Sequence, residues 1–194
     1  LAKPGQVRGD ITPFYMFHQA VPERIRSSLP NVRLIALLRD PVERALSQYF
    51  HARRHGYEQL DLLPALAAEE QRMSGANEVV SSADGFHYSY QKHSYVSRSR
   101  YELQLIRYRQ FFPKHQLHVL RSEDLFAHTD ACWDGLLRFI SVAPMPLPAS
   151  LPHSNSGKGE AASVPLSLRR DLRHQLAATY KWVKREYGIT WPEP

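Results

Sequence analysis

The clearest block of apolar residues runs from Val32 to Leu38 and stops abruptly at Arg39-Asp40-Pro41. Seven such residues followed by a helix start predict a buried strand feeding a helix. Asp40 suits the N-cap, Pro41 the first helical position, and Glu43 the place where a capping box wants a carboxylate. From there Val42, Ala45, Leu46, Tyr49 and Phe50 mark an apolar face over 41–54, and Asp40, Arg44, Ser47 and His51 a polar stripe. Further patterns predict a short helix over 21–29 and a leucine-rich helix over 58–73 with Leu62, Leu63 and Leu66 inward. They also predict a polar loop over 74–85 and a stretch without clear period over 86–98. A helix over 99–112 carries Tyr101, Leu105, Tyr108 and Phe112 on one stripe, read as core rather than as a stacking platform, with Tyr101 at its ligand-facing end the exception. Gln116 to Arg121 is a second strand. Thr129 is expected to cap a helix bearing Trp133, Leu136, Leu137 and Ile140. After a Pro-rich stretch (144–152) and a Ser/Gly loop (153–163), one long helix runs from about Ser167 to Gly188. Strands alternating with helices imply an α/β fold with a parallel sheet and right-handed crossovers. Only two strands are clear, so the sheet is small.

Composition changes this picture little. A chain of 194 residues supports one sizeable core, and 43% hydrophobic residues are ordinary for a globular domain. One cysteine, Cys132, excludes an internal disulfide framework and fits a reducing compartment. No apolar run approaches the ~18 residues that span a membrane, and Leu1 opens no signal-peptide pattern. The expectation is a cytoplasmic location with no membrane segment. The formal charge of +6 could attract polyanions. The basic residues are dispersed, however, and neither an RNP-like aromatic pattern nor zinc-finger spacing is present, so no nucleic-acid partner is expected. The histidines lack metal-site clustering, and no metal is predicted.

The chemistry concentrates at the first strand–helix junction. Arg39 sits at the carboxyl end of a strand, where open α/β sheets bind ligands. Ser47 lies roughly 9 Å along the helix from Pro41. A guanidinium fork and a hydroxyl so placed can hold a phosphate from two sides. The alternative is that Arg39 pairs with Asp40 or Glu43 and Ser47 is an ordinary surface serine. Asp40 already occupies the cap, so a phosphate would avoid repulsion by lying alongside the first two turns.

The order Arg39-Asp40-Pro41, Arg44, Ser47, Tyr49 resembles the 3′-phosphate motif of sulfotransferases that use 3′-phosphoadenosine 5′-phosphosulfate (PAPS), and is closest to the heparan-sulfate and bacterial types. Tyr101, Leu105, Tyr108, Phe112 and Pro113, followed by QLHVLRSEDL, resemble the family's Tyr-x3-Leu-x2-Trp-x3-Phe-Pro segment with its strand and acidic turn. Gly9 to Tyr15, GDITPFY, resembles a Gly-Glu-Lys-Ser-Pro-x-Tyr segment. Ser156 to Glu160 resembles the Lys-Gly-Arg loop that closes over the nucleotide.

The resemblance implies a P-loop-NTPase-like three-layer α/β architecture, with residues 1–194 as a single, partial sulfotransferase domain. It implies Arg39, Ser47, Tyr101, Lys158 and Gly159 as nucleotide-binding residues. It further implies PAPS as cosubstrate, adenosine 3′,5′-bisphosphate as product, and a hydroxyl or amine of a carbohydrate, lipid or metabolite as acceptor. Three departures stand against it. The strand and Pro-Lys-x-Gly-Thr-Thr-type loop that cradle the 5′-phosphosulfate are not found. Ile11 stands where relatives have lysine, and Glu160 where the closing loop has arginine, turning attraction into repulsion. The catalytic base is unassigned, His18 being the nearest candidate, and these residues alone are not expected to turn over. A non-catalytic nucleotide-binding or scaffold protein derived from the fold is the alternative. Oligomeric state is not readable.

Overall fold

The computed structural model describes residues 6–82, 84–147 and 159–193. In chain order its elements are α1 (Pro13–Phe17), α2 (Val21–Ser28), β1 (Leu34–Leu38), α3 (Pro41–Arg54), α4 (Leu62–Arg72), α5 (Ala76–Ser81), α6 (Tyr88–Lys92) and α7 (Tyr101–Phe111), then β2 (Leu117–Arg121), α8 (Ser122–Ala127), α9 (Thr129–Phe139), α10 (Leu166–Gln175) and α11 (Ala177–Tyr187). The two strands pair in parallel, Leu34 opposite Leu117 through Leu38 opposite Arg121. This is the helix-rich α/β arrangement with a small parallel sheet that the alternation of patterns predicts.

Period-two alternation along β1 decides what covers the sheet. Ala36 and Leu38 face one layer, where they pack with Tyr101, Leu105, Tyr108 and Phe112 of the α7 segment and Val183 of α11. Ile35 and Leu37 face the other way and stay about half exposed, at 48% and 46%. On that side Phe139, at the end of α9, stacks on His118 of β2 with ring centroids 5.0 Å apart. The tyrosine and leucine stripe of α7 is therefore core, as its spacing predicts. Polar ties run along it: the Tyr108 hydroxyl donates to Tyr15 O at 2.9 Å.

Several elements differ from the sequence reading, among them α9, where Thr129 is the first helical residue and His128 stands at the cap position. The single C-terminal helix breaks at Leu176, which is 1% exposed. Leu172 and Leu176 pack with Val42 and Leu46 of α3, whereas Val183 packs with the sheet. The predicted loop over 74–85 contains α5, whose Ala76 and Val80 pack with Phe17 and Tyr90. The aperiodic stretch contains α6, capped by His87, whose Nδ1 accepts the Tyr90 N–H at 3.1 Å. On α4 Leu62 and Leu66 pack against the core as expected, but Leu63 is 62% exposed and Ala65 and Glu69 are the buried positions. The Glu69 carboxylate accepts the N–H groups of Val96 and Ser97 at 2.7 and 2.8 Å, so this helix turns a charge inward to hold a loop.

Candidate nucleotide site

Three local features place α3 against the carboxyl end of β1: an N-cap carboxylate, a proline at N1, and an apolar face buried at Val42, Ala45, Leu46 and Tyr49. Asp40 caps the helix, its Oδ1 accepting from Val42 N and Glu43 N at 2.9 and 3.0 Å. The reciprocal half of the expected capping box is made elsewhere. Asp40 N–H donates to Glu123 Oε1, 3.1 Å away and 83 residues on in the chain, while Glu43 is ion-paired with Arg169. Glu123 Oε2 also accepts from Trp191 Nε1 at 3.1 Å. The Tyr180 hydroxyl donates to the Asp40 carboxylate at 2.9 Å, and the Arg173 guanidinium lies 3.8 Å from Asp40 Oδ2 and over the Tyr180 ring at 4.1 Å. Burial pushes the Asp40 carboxyl above its ordinary range, with Glu123 adding to the rise, against the pull of Tyr180, the Val42 N–H and Arg173. The cap is thus filled, and the helix N-terminus offers an anion little.

The two residues singled out from the sequence stand beside this cap. Arg39 is exposed and Ser47 half-buried on α3. Neither the Arg39 guanidinium nor the Ser47 hydroxyl has a hydrogen-bond or ion-pair partner among the described residues, so the pairing of Arg39 with Asp40 or Glu43 does not form. The cations around them are committed. Arg44 donates to Ser99 Oγ, Gln48 Oε1 and Tyr95 O. Arg121 binds Asp124 and Thr190 O, Arg169 pairs with Glu43, and Arg173 reaches Trp191 O and Pro192 O. An exposed guanidinium and a hydroxyl left without internal partners, flanking the first two turns of one helix, fit an oxyanion such as a phosphate.

Tyr101 joins the site from beneath. It is 4% exposed, and its hydroxyl donates to Arg39 O at 3.0 Å, holding the backbone that carries the guanidinium. Burial pushes its phenol well up, so it stays a donor. Gly159 sits at φ +78°, a left-handed conformation that favours glycine, and starts a short 3-10 turn over Glu160–Ser163. Lys158 lies outside the described residues. Glu160 is ion-paired with Arg54 in the last turn of α3, so its charge is spent on a neighbouring helix. Ile11 is 92% exposed.

His18, the nearest candidate for a base, has an internal partner, as do His87 and His93. His18 Nδ1 accepts the Ala20 N–H at 3.3 Å, and burial, with Arg24 and Arg107, pushes its pKa down. His93 binds Ser89 Oγ and Tyr57 O at 3.0 and 2.9 Å, His87 caps α6, and His153 lies outside the described residues. Two shallow clefts of about 370 and 380 Å³ lie among α2, α5 and α7, and neither is lined by Arg39, Ser47 or Tyr101. Among the described residues no group of three or more His, Cys, Asp or Glu is placed to hold a metal, and no helix is long and apolar enough to cross a membrane.

A family model described as "Sulfotransferase domain" matches residues 11–147, a span that takes in Arg39, Ser47 and Tyr101. The chain belongs to the sulfotransferase family. It is 24% identical over 131 residues, 68% of its length, to the bifunctional heparan sulfate N-deacetylase/N-sulfotransferase of Drosophila melanogaster, covering 12% of that protein. It is 54% identical over 41 residues to the membrane-associated sulfotransferase kil1 of Dictyostelium discoideum, covering 21% of this chain and 9% of that one. The fold is similar to that of a sulfotransferase from Alicyclobacillus acidocaldarius, with a TM-score of 0.68, 22% identity, 92% of this chain covered and 63% of the other. The chain therefore spans about a tenth of the curated relatives and under two thirds of the solved one.

In this member of the sulfotransferase family, the sequence singled out Arg39, Ser47 and Tyr101 as candidates but not the residues that pack around them. Glu123, Glu69, Ser99 and Tyr180 come from distant segments and carry no local signal of their roles. The exception is Arg44, which stands on the polar stripe between Asp40 and Ser47 and turns inward.

Proposed function

We propose that this chain carries the 3′-phosphate half of a PAPS site, within a single sulfotransferase domain that moves a sulfuryl group to a hydroxyl or amine of a carbohydrate, lipid or metabolite. The observation that carries the reading is the pair of groups without internal partners among the described residues, Arg39 and Ser47, on either side of the first two turns of α3, where Arg44, Arg121, Arg169 and Arg173 are all engaged within the protein. The family's chemistry, sulfuryl transfer, gives such a pair a use. In-line transfer asks the protein mainly to position groups and neutralise charge. In this reading Arg39 and Ser47 orient the nucleotide through its 3′-phosphate and Tyr101 fixes Arg39 from below. Gly159 gives the chain its turn beside α3, and Lys158 is the residue of that loop with a charge to offer the nucleotide. PAPS as donor supplies the sulfuryl group and leaves as adenosine 3′,5′-bisphosphate. The single cysteine suits a reducing compartment such as the cytoplasm.

Isothermal titration calorimetry with adenosine 3′,5′-bisphosphate and AMP tests the reading. The bisphosphate should bind more tightly, and Arg39→Ala should remove most of the difference. A charge-assisted hydrogen bond is worth ~1.5–3 kcal/mol, or about tenfold to a hundredfold in affinity. Equal affinity of the unaltered chain for the two nucleotides overturns it.

A further inference from the structure

We infer that Arg44 is a positioning residue for this site: it clasps residues 95–99 to the start of α3 and thereby sets the Tyr101–Arg39 contact, without itself touching the nucleotide. The inference rests on the nucleotide reading above.

The geometry forms a closed circuit. Arg44 Nε donates to Ser99 Oγ at 2.6 Å, and the Ser99 hydroxyl donates to Pro41 O at 2.7 Å, returning to the helix that Arg44 left. Arg44 Nη1 donates to Gln48 Oε1 at 2.7 Å, and Nη2 to Tyr95 O. All three guanidinium nitrogens are thus engaged within the protein. Ser99 is fully buried, so its hydroxyl has no water to turn to. Two residues beyond Ser99, Tyr101 opens α7 and donates to Arg39 O. Glu69 holds the same loop from its other side through Val96 N and Ser97 N, and the Tyr95 hydroxyl donates to Glu58.

Arg39 is consequently gripped on both flanks. Its carbonyl is held by Tyr101, and the next N–H, that of Asp40, by Glu123. The side chain is the part left to answer a ligand. Slack in the 95–99 segment would pass through Tyr101 to the Arg39 carbonyl, and a guanidinium displaced by a fraction of an ångström loses the two-pronged approach to an oxyanion. A lysine at position 44 keeps the charge but lacks the planar fork that serves three acceptors at once. A phosphate contact by Arg44 itself would require breaking bonds to groups buried with it.

The test compares Arg44→Lys, Ser99→Ala and Tyr101→Phe with the unaltered chain and with Arg39→Ala. It measures affinity for adenosine 3′,5′-bisphosphate and for AMP by calorimetry, with a thermal melt of each protein. Each of the three variants should lower the preference for the bisphosphate by about threefold or more while AMP affinity stays within about twofold. Ser99→Ala added to Arg39→Ala should cost no further preference, since Ser99 acts through Arg39. Ser99→Ala and Tyr101→Phe each delete a single oxygen and keep the experiment decisive if Arg44→Lys does not fold. A wild-type preference that these variants leave intact, with melting alone affected, overturns the inference and spares the nucleotide reading. Equal wild-type affinity for both nucleotides overturns the two together.

Discussion

Glu58→Gln should cost this protein about 3 kcal/mol of stability at neutral pH, and the cost should fade in acid. Glu58 is 2% exposed. Its carboxylate accepts from Gln59 N and Leu60 N at 2.9 and 2.8 Å, from Arg72 Nη1 and Nη2 at 2.5 and 3.3 Å, and from the Tyr95 hydroxyl at 2.8 Å. Burial pushes the carboxyl up, but the bonds from Arg72, the Leu60 N–H and Tyr95 outweigh it and bring the pKa from 4.5 to about 2. The fall from 4.5 to about 2 corresponds to ~3 kcal/mol. The folded value lies below the unfolded one, so this stability is present above about pH 4.5 and lost as the pH falls through about 2. Glutamine keeps the shape and one acceptor but faces Arg72 with a neutral amide. Urea unfolding followed by circular dichroism, with wild type and variant compared across that window, reads the effect; acid effects common to both cancel in the difference. A difference that stays constant with pH, or below about 1 kcal/mol at neutral pH, would refute the reasoning. The consequence reaches the site, because Tyr95 bonds Glu58 through its hydroxyl and Arg44 through its carbonyl.

Ser47→Ala should weaken binding of adenosine 3′,5′-bisphosphate by about twofold to tenfold in calorimetry, less than Arg39→Ala, since a neutral hydroxyl contributes ~0.5–1.5 kcal/mol. Asp40→Asn should be tolerated better than Asp40→Ala in urea unfolding. Asparagine keeps the cap acceptor for Val42 and Glu43 and removes a charge whose carboxyl burial already raises, whereas alanine forfeits the cap at about 1–2 kcal/mol. Leu37→Ser, at a position 46% exposed, should cost about 1 kcal/mol of stability, since roughly half of the side chain is buried. Leu38→Ala next to it, fully buried, should cost about 2–5 kcal/mol by the same measurement.

What the sequence made legible was what is decided locally. The start of α3 is written within four residues, cap, proline and first apolar positions, so its boundary and its inward face read correctly. The stripe of α7 was readable because Tyr101, Leu105, Tyr108 and Phe112 recur at helical spacing and all face the sheet. The break at Leu176 was not, because Leu168, Leu172, Leu176 and Tyr180 continue one period without interruption. The interruption is confined to Leu176, at φ −98° and ψ 12°, with the chain before it packed on α3 and Val183 after it packed with the sheet. Helices of five or six residues such as α5 and α6 leave no period to detect; they are held by distant groups, as when the Tyr90 hydroxyl donates to Phe17 O at 3.0 Å. The capping box failed for the same reason. Glu43 has the right spacing, yet Arg169 claims it and Glu123 arrives from behind β2 to take the vacant N–H.

The filled cap also determines what kind of recognition α3 can offer. A phosphate seated on a helix N-terminus is held by backbone N–H groups and the helix dipole, which discriminate weakly between one phosphate and another. Here Asp40 already takes the N–H groups of Val42 and Glu43, and its carboxylate, backed by Glu123, would repel an anion placed there. An anion beside this helix has to be gripped by side chains, and Arg39 and Ser47 are the groups near it without internal partners among the described residues. Side chains about two turns apart fix the direction of approach as well as the charge, which suits reading one particular phosphate on a nucleotide that carries several. The same logic gives Glu160 a neutral part. Its carboxylate would repel an anion if it faced one, but its pairing with Arg54 ties the start of the 160–163 turn to the far turn of α3 and cancels the charge. The charge at Glu160 is therefore absorbed by a neighbouring cation, Arg54, while Arg39 is kept out of every internal pair among the described residues.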